Sequence, residues 1–276
     1  MLGLASGVLG SFAVLRRQGL MGDALSHAAL PGVCLAYMVT GQKTSLILLI
    51  GAALAATFAM GLIVAAVRRV KTDSGTAMAV FLTAFFGLGL VLLTKIQQRN
   101  DAGQAGLDKF LFGQAAALVT EQVVLMAVVG GFALLIVVLF YPQLKLSTFD
   151  PQFASSLGWR VRVWEALQNV LLVSAICIGL NTVGVVLMSA MMVAPAIAAR
   201  QWTNQLGSML VLAACFGMAG GAAGTVISLV ESKVPTGPVI VLSLTVFVTV
   251  SVLFGTARGI IPTRLRALTR TSEEPI

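Results

Sequence analysis

Charge is what this chain has least of. Asp, Glu, Lys and Arg make up 10% of its 276 residues, where a water-soluble domain carries about 25%. No stretch is polar enough and long enough to stand as a water-facing domain. Histidine occurs once, at His27. A single imidazole excludes the H-E-x-x-H pair of an intramembrane metalloprotease. There is no G-x-x-x-x-G-K-[ST], so the backbone cradle that holds nucleotide phosphates is missing and the chain is not expected to hydrolyse ATP. The 3 cysteines, Cys34, Cys177 and Cys215, show no paired spacing and read as small buried hydrophobes. Apolar segments alternating in polarity over about 10 residues, the mark of a membrane β-barrel, are also lacking.

What fills the chain instead is apolar: 58% of residues. Apolar runs fall at 1–15, 20–39, 44–67, 75–94, 118–141, 166–181, 183–199, 206–230 and 236–257. Many approach the ~20 residues a helix needs to cross a bilayer. The expected fold class is all-α: a polytopic transmembrane bundle of eight to nine spans forming a single domain over 1–276. The weakest break, Asn181-Thr182, separates the nine-span reading from the eight-span one. The first run, helical, would cover about 21 Å against about 30 Å of hydrocarbon, so it is expected to be the remainder of a longer span.

The net charge of +8 is a loop bias rather than a nucleic-acid footprint. With nine spans and the C-terminus inside, most Lys and Arg lie on the inner side, among them Arg16, Arg17, Arg68, Arg69, Arg160 and Arg162. Lys43, Lys95, Arg99, Lys109 and Lys233 lie outside. The positive-inside bias therefore puts the N-terminus outside and a short tail, 263–276, in the cytoplasm. Gly3 and Gly7, Gly217 and Gly221, and Gly220 and Gly224 are spaced as G-x-x-x-G and are expected to pack helices closely.

Within GDALSHAALPG (22–32) the chain spends an acid and its only imidazole four residues apart. Asp23 and His27 share a helix face, and ionisable groups inside a span face a bundle interior or a wet cavity. A carboxylate with a neutral imidazole is half a site for a divalent transition ion. Pro31 has no N–H, so the carbonyl of His27 loses its helical donor and the helix should bend there. Asp23 could instead cap its helix, and His27 could be a satisfied buried ring. Pro195 frees the carbonyl of Met191 in the same way, beside Met188, Met192 and Ser189; methionines at this spacing are more often core filler. Farther on, Asp150-Pro151 reads as a helix start, with Asp as cap and Pro at the first position. It opens a short helix, 151–158, inside the longest inner loop, 141–164.

Taken together, RRQGLMGDALSHAALPG (16–32), NDAGQAGLDKFLFGQAA (100–116), FDPQFASSLG (149–158), VGVVLMSAMMVAPAIAAR (183–200) and PTGPVIVL (235–242) resemble the permease subunit of ABC-type importers for manganese, zinc and iron. The resemblance implies a multi-pass protein of the bacterial cytoplasmic membrane. Two permeases, identical or paralogous, would form a pore, and a separate ATPase would bind ATP and dock on each inner loop. An extracytoplasmic metal-binding protein would deliver the ion. It assigns Asp23 and His27 to the metal path, and Phe149, Asp150, Pro151, Ala154 and Gly158 to a coupling helix over 149–158. No cofactor is expected on the chain itself beyond the transported manganese, iron or zinc ion, and no nucleic-acid partner. Gln152 stands where the family commonly has Glu, which removes a charge from that loop. A proton-coupled transporter could use the same pair as a proton relay. A permease for a siderophore or cobalamin would share the loop without needing the pair.

Overall fold

The computed structural model describes residues 1–41, 45–98, 120–230 and 236–263. The long elements among them are all helical: α1 (Leu2–Leu15), α2 (Met21–Thr40), α3 (Ser45–Ala65) running into a π-helical turn (Ala66–Val70), α4 (Ser74–Gln98), α5 (Thr120–Leu139), α6 (Tyr141–Phe149), α7 (Pro151–Ser156), α8 (Val161–Thr182), α9 (Val185–Trp202), α10 (Leu206–Val230) and α11 (Thr236–Phe254). The segment 100–116, the tail 264–276 and Lys43, Arg99, Lys109 and Lys233 lie outside the described residues.

Burial divides these helices into an inner and an outer set. From Met21 to Cys34 every residue of α2 except Asp23 is buried. In α1 the run Ala5–Ala13 is buried throughout. The outer helices turn large apolar side chains outward instead: Leu54 and Phe58 on α3, Val91 on α4, Phe132 and Val138 on α5, Val211 and Leu229 on α10, Val246 on α11. Large apolar groups on the outer surface are what a lipid solvent accepts. Apolar side chains gain nothing by leaving hydrocarbon, so contacts between helices depend on close backbone approach.

Helix length and composition correct the span count. Among the described residues, six helices are long and apolar enough to cross a membrane: Leu46–Val70, Ser74–Gln98, Thr120–Leu139, Val161–Leu180, Leu206–Val230 and Thr236–Phe254. The eight to nine spans expected from apolar runs also counted α1, α2 and α9. Those helices are wrapped by the others, and an interior helix need not be uniformly apolar. The weak break does separate two helices: α8 runs to Thr182, and Gly184, at φ +88°, opens α9. α5 stops at Leu139, just before Pro142. That proline sits in the first turn of α6, where its missing N–H costs no bond, so 141–164 is mostly helix.

Small residues set the inner contacts. A Cβ on Gly3 would lie 2.1 Å from the Gly217 carbonyl oxygen, and one on Gly217 would lie 2.0 Å from that of Gly3. One turn along, Gly7 meets the Ala213 backbone in the same way, and Gly10 meets that of Met192. Gly220 and Gly224 admit Leu244 and Ile240 of α11, but Gly221 has nothing within 4 Å, so the Gly217–Gly221 spacing is not one contact face. Gly32 and Gly51 bring α2 and α3 together, and Gly89 seats α4 on Leu30 and Pro31. Cys34 and Cys177 are buried as expected, whereas Cys215 is exposed on α10.

Most of the described arginines gather at one end of the bundle. Arg16 and Arg68 share Glu165, Arg162 lines the cleft beside them, and Arg200 lies within electrostatic reach of Arg258 and Arg17. The turn 255–259 is tied there too: Ala257 N and Arg258 N donate to the Gln201 carbonyl, and Arg258 Nε donates to Asn204 Oδ1 at 3.3 Å.

Candidate metal path and docking face

α2 is enclosed by α3, α4, α8 and α9, and it carries both ionisable residues singled out above. Asp23 lies in its first turn, where a carboxylate interacts favourably with the helix dipole. It is not a cap: the capping position is Leu20, and no side chain bonds the free N–H groups there. The carboxylate points along the helix to His27, with Oδ1 3.3 Å from Nε2. Pairing at i and i+4 is what the sequence spacing required. The Asp23 side chain keeps 31% of its exposure, while the His27 side chain keeps 11%.

The imidazole is held on two sides, by Asp23 and by Phe86. Phe86 of α4 meets it edge to face, with centroids 4.6 Å apart. Its Nδ1 is buried without a hydrogen-bond partner. Buried polar atoms are nearly always satisfied, so an orphan in a native site calls for an explanation such as a water or an ion. Pro31, inside α2, has no N–H to offer the His27 carbonyl, so that oxygen lacks its ordinary helical donor. A satisfied core histidine would not leave Nδ1 without a partner. Among the described residues no group of three or more His, Cys, Asp and Glu is assembled. One chain therefore offers a dication a carboxylate, an imidazole and a carbonyl, a set too small for a tight resident site.

The methionines of α9 divide. Met188 packs into the space above Gly179 of α8, and Met191 is buried beside it in sequence. Both are core filler. Met192 reaches α2, its Sδ 3.2 Å from where a Cβ on Gly22 would stand, with Ser189 close behind. The residue before Asp23 must therefore be small for α9 to close on the pair.

The second group of residues forms the turn between α6 and α7. Phe149 ends α6 and is exposed. Asp150 caps α7, its Oδ1 accepting from Phe153 N at 2.8 Å, and Pro151 takes the first position. The helix stops at Ser156, two residues short of the expected end, because Gly158 adopts φ +79°. Ala154 is fully buried and seats α7 on the bundle. Sequence reasoning missed Phe153 and Leu157. Phe153 in α7 and Leu157 at its C-cap are exposed, as is Phe149 at the end of α6, all within FDPQFASSL (149–157).

A family model described as the ABC 3 transport family matches residues 1–255. The chain belongs to this family. Manganese transport system membrane protein MntC of Bacillus subtilis is 45% identical over 279 residues, which is all of this chain and 64% of that relative. The chain thus spans a little under two thirds of that relative's length. Zinc transport system membrane protein TroC of Treponema pallidum is 45% identical over 260 residues, 94% of this chain and 87% of the relative. The solved structure of PsaBC from Streptococcus pneumoniae in complex with Fab superposes with a TM-score of 0.81 at 30% identity, over 97% of this chain and 91% of that one. As a member of a transport family the chain is a membrane permease.

Proposed function

We propose that this permease carries a divalent transition metal ion inward as the membrane subunit of an ATP-driven importer. The observation that supports it most is the buried His27 Nδ1 left without a partner, beside a carboxylate, inside a member of a transport family. Manganese and zinc are named for its relatives; iron rests on the sequence resemblance alone. Asp23 supplies charge against the ion, and His27, when neutral, supplies a nitrogen. A path must bind and then let go, and a short donor set suits that requirement. The arginine-rich end would face the cytoplasm of a bacterial cell and the N-terminus the outside, in keeping with the positive-inside bias. A metal-binding protein would deliver the ion outside, and a second permease copy or paralogue would complete the pore.

A separate ATPase would dock on the α6–α7 turn. In this reading the contact surface is Phe149, Phe153 and Leu157, while Asp150, Pro151, Ala154 and Gly158 hold the turn in shape. Phe153→Asp changes an exposed side chain and leaves the cap intact. Co-purified ATPase should fall to about a tenth of wild type or less, as for loss of an interface anchor; normal recovery would remove Phe153 from the contact. The energy source separates this function from its proton-coupled rival. Mn2+ uptake into proteoliposomes should stop when the ATPase's phosphate-binding Lys is replaced and persist with a protonophore present. The reverse result would assign Asp23 and His27 to a proton relay.

A further inference from the structure

The cleft at the arginine-rich end is a feature that the Asp23–His27 pair leaves unexplained. It encloses about 310 Å³ between the ends of α1 and α3 and the starts of α4 and α8. Its walls include Arg16, Arg68 and Arg162, against one carboxylate, Glu165. Both oxygens of that carboxylate are engaged. Oε1 accepts from Arg16 Nη2 at 2.9 Å, and Oε2 accepts from Arg68 Nη2 at 2.7 Å.

The bonds continue on either side. Arg16 Nη1 also donates to Gln168 Oε1, three residues along α8 from Glu165. Gln168 Nε2 donates to Thr148 Oγ1 at 3.0 Å and to the Leu144 carbonyl at 3.4 Å, both in α6. An unbroken chain of polar contacts thus runs from α6, beside the docking turn, through α8 to Arg16 and Arg68. Each arginine leads to the helix that carries Asp23. Arg16 is joined to Met21 by a tight connection: Gln18 N bonds the Ala13 carbonyl, Met21 N bonds the Gln18 carbonyl, and Arg17 takes φ +59°. Arg68 sits in the π-helical turn that ends α3, and α3 touches α2 backbone to backbone at Gly32 and Gly51. π turns are wider than α turns and concentrate at functional sites.

We infer that Glu165 is a positioning residue for transport, linking movement of α6 and α7 to α2 through its paired contacts with Arg16 and Arg68. This rests on the importer function proposed above. Burial pulls the pKa of Arg16 down, Glu165 opposes that, and Arg68 adds a smaller downward push. Without the carboxylate, the guanidiniums of Arg16 and Arg68 would face each other across the cleft, and Arg68 would lose its bond to α8. The pair is partly buried at Arg16, which makes loss of one partner costlier than at an exposed bridge. Glu165 touches neither Asp23 nor His27 in any contact described, so its effect should fall on coupling and leave ion affinity alone.

The test uses the permease assembled with its ATPase in proteoliposomes, reading ATP hydrolysis and Mn2+ uptake together. Glu165→Gln should co-purify with the ATPase and hydrolyse ATP within about twofold of wild type, yet move about tenfold less Mn2+ per ATP. The Mn2+ concentration giving half-maximal uptake should not change. Glu165→Asp, which keeps the charge, should recover most of the loss. Wild-type Mn2+ per ATP in Glu165→Gln, or a shifted half-saturation with coupling intact, would overturn the inference. If Glu165→Gln does not assemble, Gln168→Leu decides, because it cuts the link to α6 and spares both ion pairs. A lowered Mn2+ per ATP supports the inference and a normal one overturns it. Wild-type permease without ATP-dependent uptake would mean that the importer function itself had failed.

Discussion

Replacing His27 by alanine should lower Mn2+ uptake by about tenfold or more with the complex still assembled, the scale typical of disturbing a metal-ligand set. In the proposed path the ring would supply the nitrogen donor, and its Nε2 lies 3.3 Å from the Asp23 carboxylate. Its removal strips the path of one donor and leaves the other unguided. Asp23→Asn keeps the shape and cancels the charge, so it should also lower uptake, through weaker attraction of the dication. The expected signature is lost uptake with ordinary expression and ordinary ATPase recovery. Uptake at wild-type level in His27→Ala would take the imidazole out of the path, whatever else the family does.

Gly217→Val should cost the fold about 3 kcal/mol or more, at or beyond the upper end for overpacking. The new Cβ would stand 2.0 Å from the Gly3 carbonyl oxygen. Backbone cannot swing aside as a flexible side-chain tip can, so α1 and α10 would have to part. Because the α1 contacts at Gly3, Gly7 and Gly10 follow one another, separation at the first would strain the next. Gly221→Val, four residues along the same helix, meets nothing within 4 Å and should be silent. Thermal unfolding of both variants in detergent checks the contrast. Equal midpoints would show that the α1–α10 crossing carries little stability.

The helices themselves were legible because apolar runs and their polar breaks are local. The run at 206–230 matches α10 residue for residue, and 20–39 matches α2 within a residue. The Asp23–His27 contact was legible too, since both groups sit on one helix whose geometry fixes their spacing. Asp150 and Pro151 gave the start of α7 for the same reason. What could not be read depends on residues far apart in sequence. Glu165 meets Arg16 across 149 positions, and nothing near either residue announces the other. The span count went wrong because an apolar run need not be long or apolar enough to cross: α1 holds 14 residues, and α2 carries Asp23 and His27. The end of α7 at Ser156 was missed because Gly158 could have been placed inside the helix or just past it, and only its φ of +79° distinguishes these. Phe153 and Leu157 stand in the same stretch, but their exposure is a property of the assembled bundle.

The fold also has a consequence for its own birth. α2, which holds the two polar groups, is not among the helices apolar enough to settle in lipid alone, while α3, next to emerge from the ribosome, is. Gly32 and Gly51 let their backbones touch, so the second helix can escort the first. The pair would then leave the translocon as a hairpin, which allows a helix to be polar enough for its task because a neighbour carries it into the bilayer.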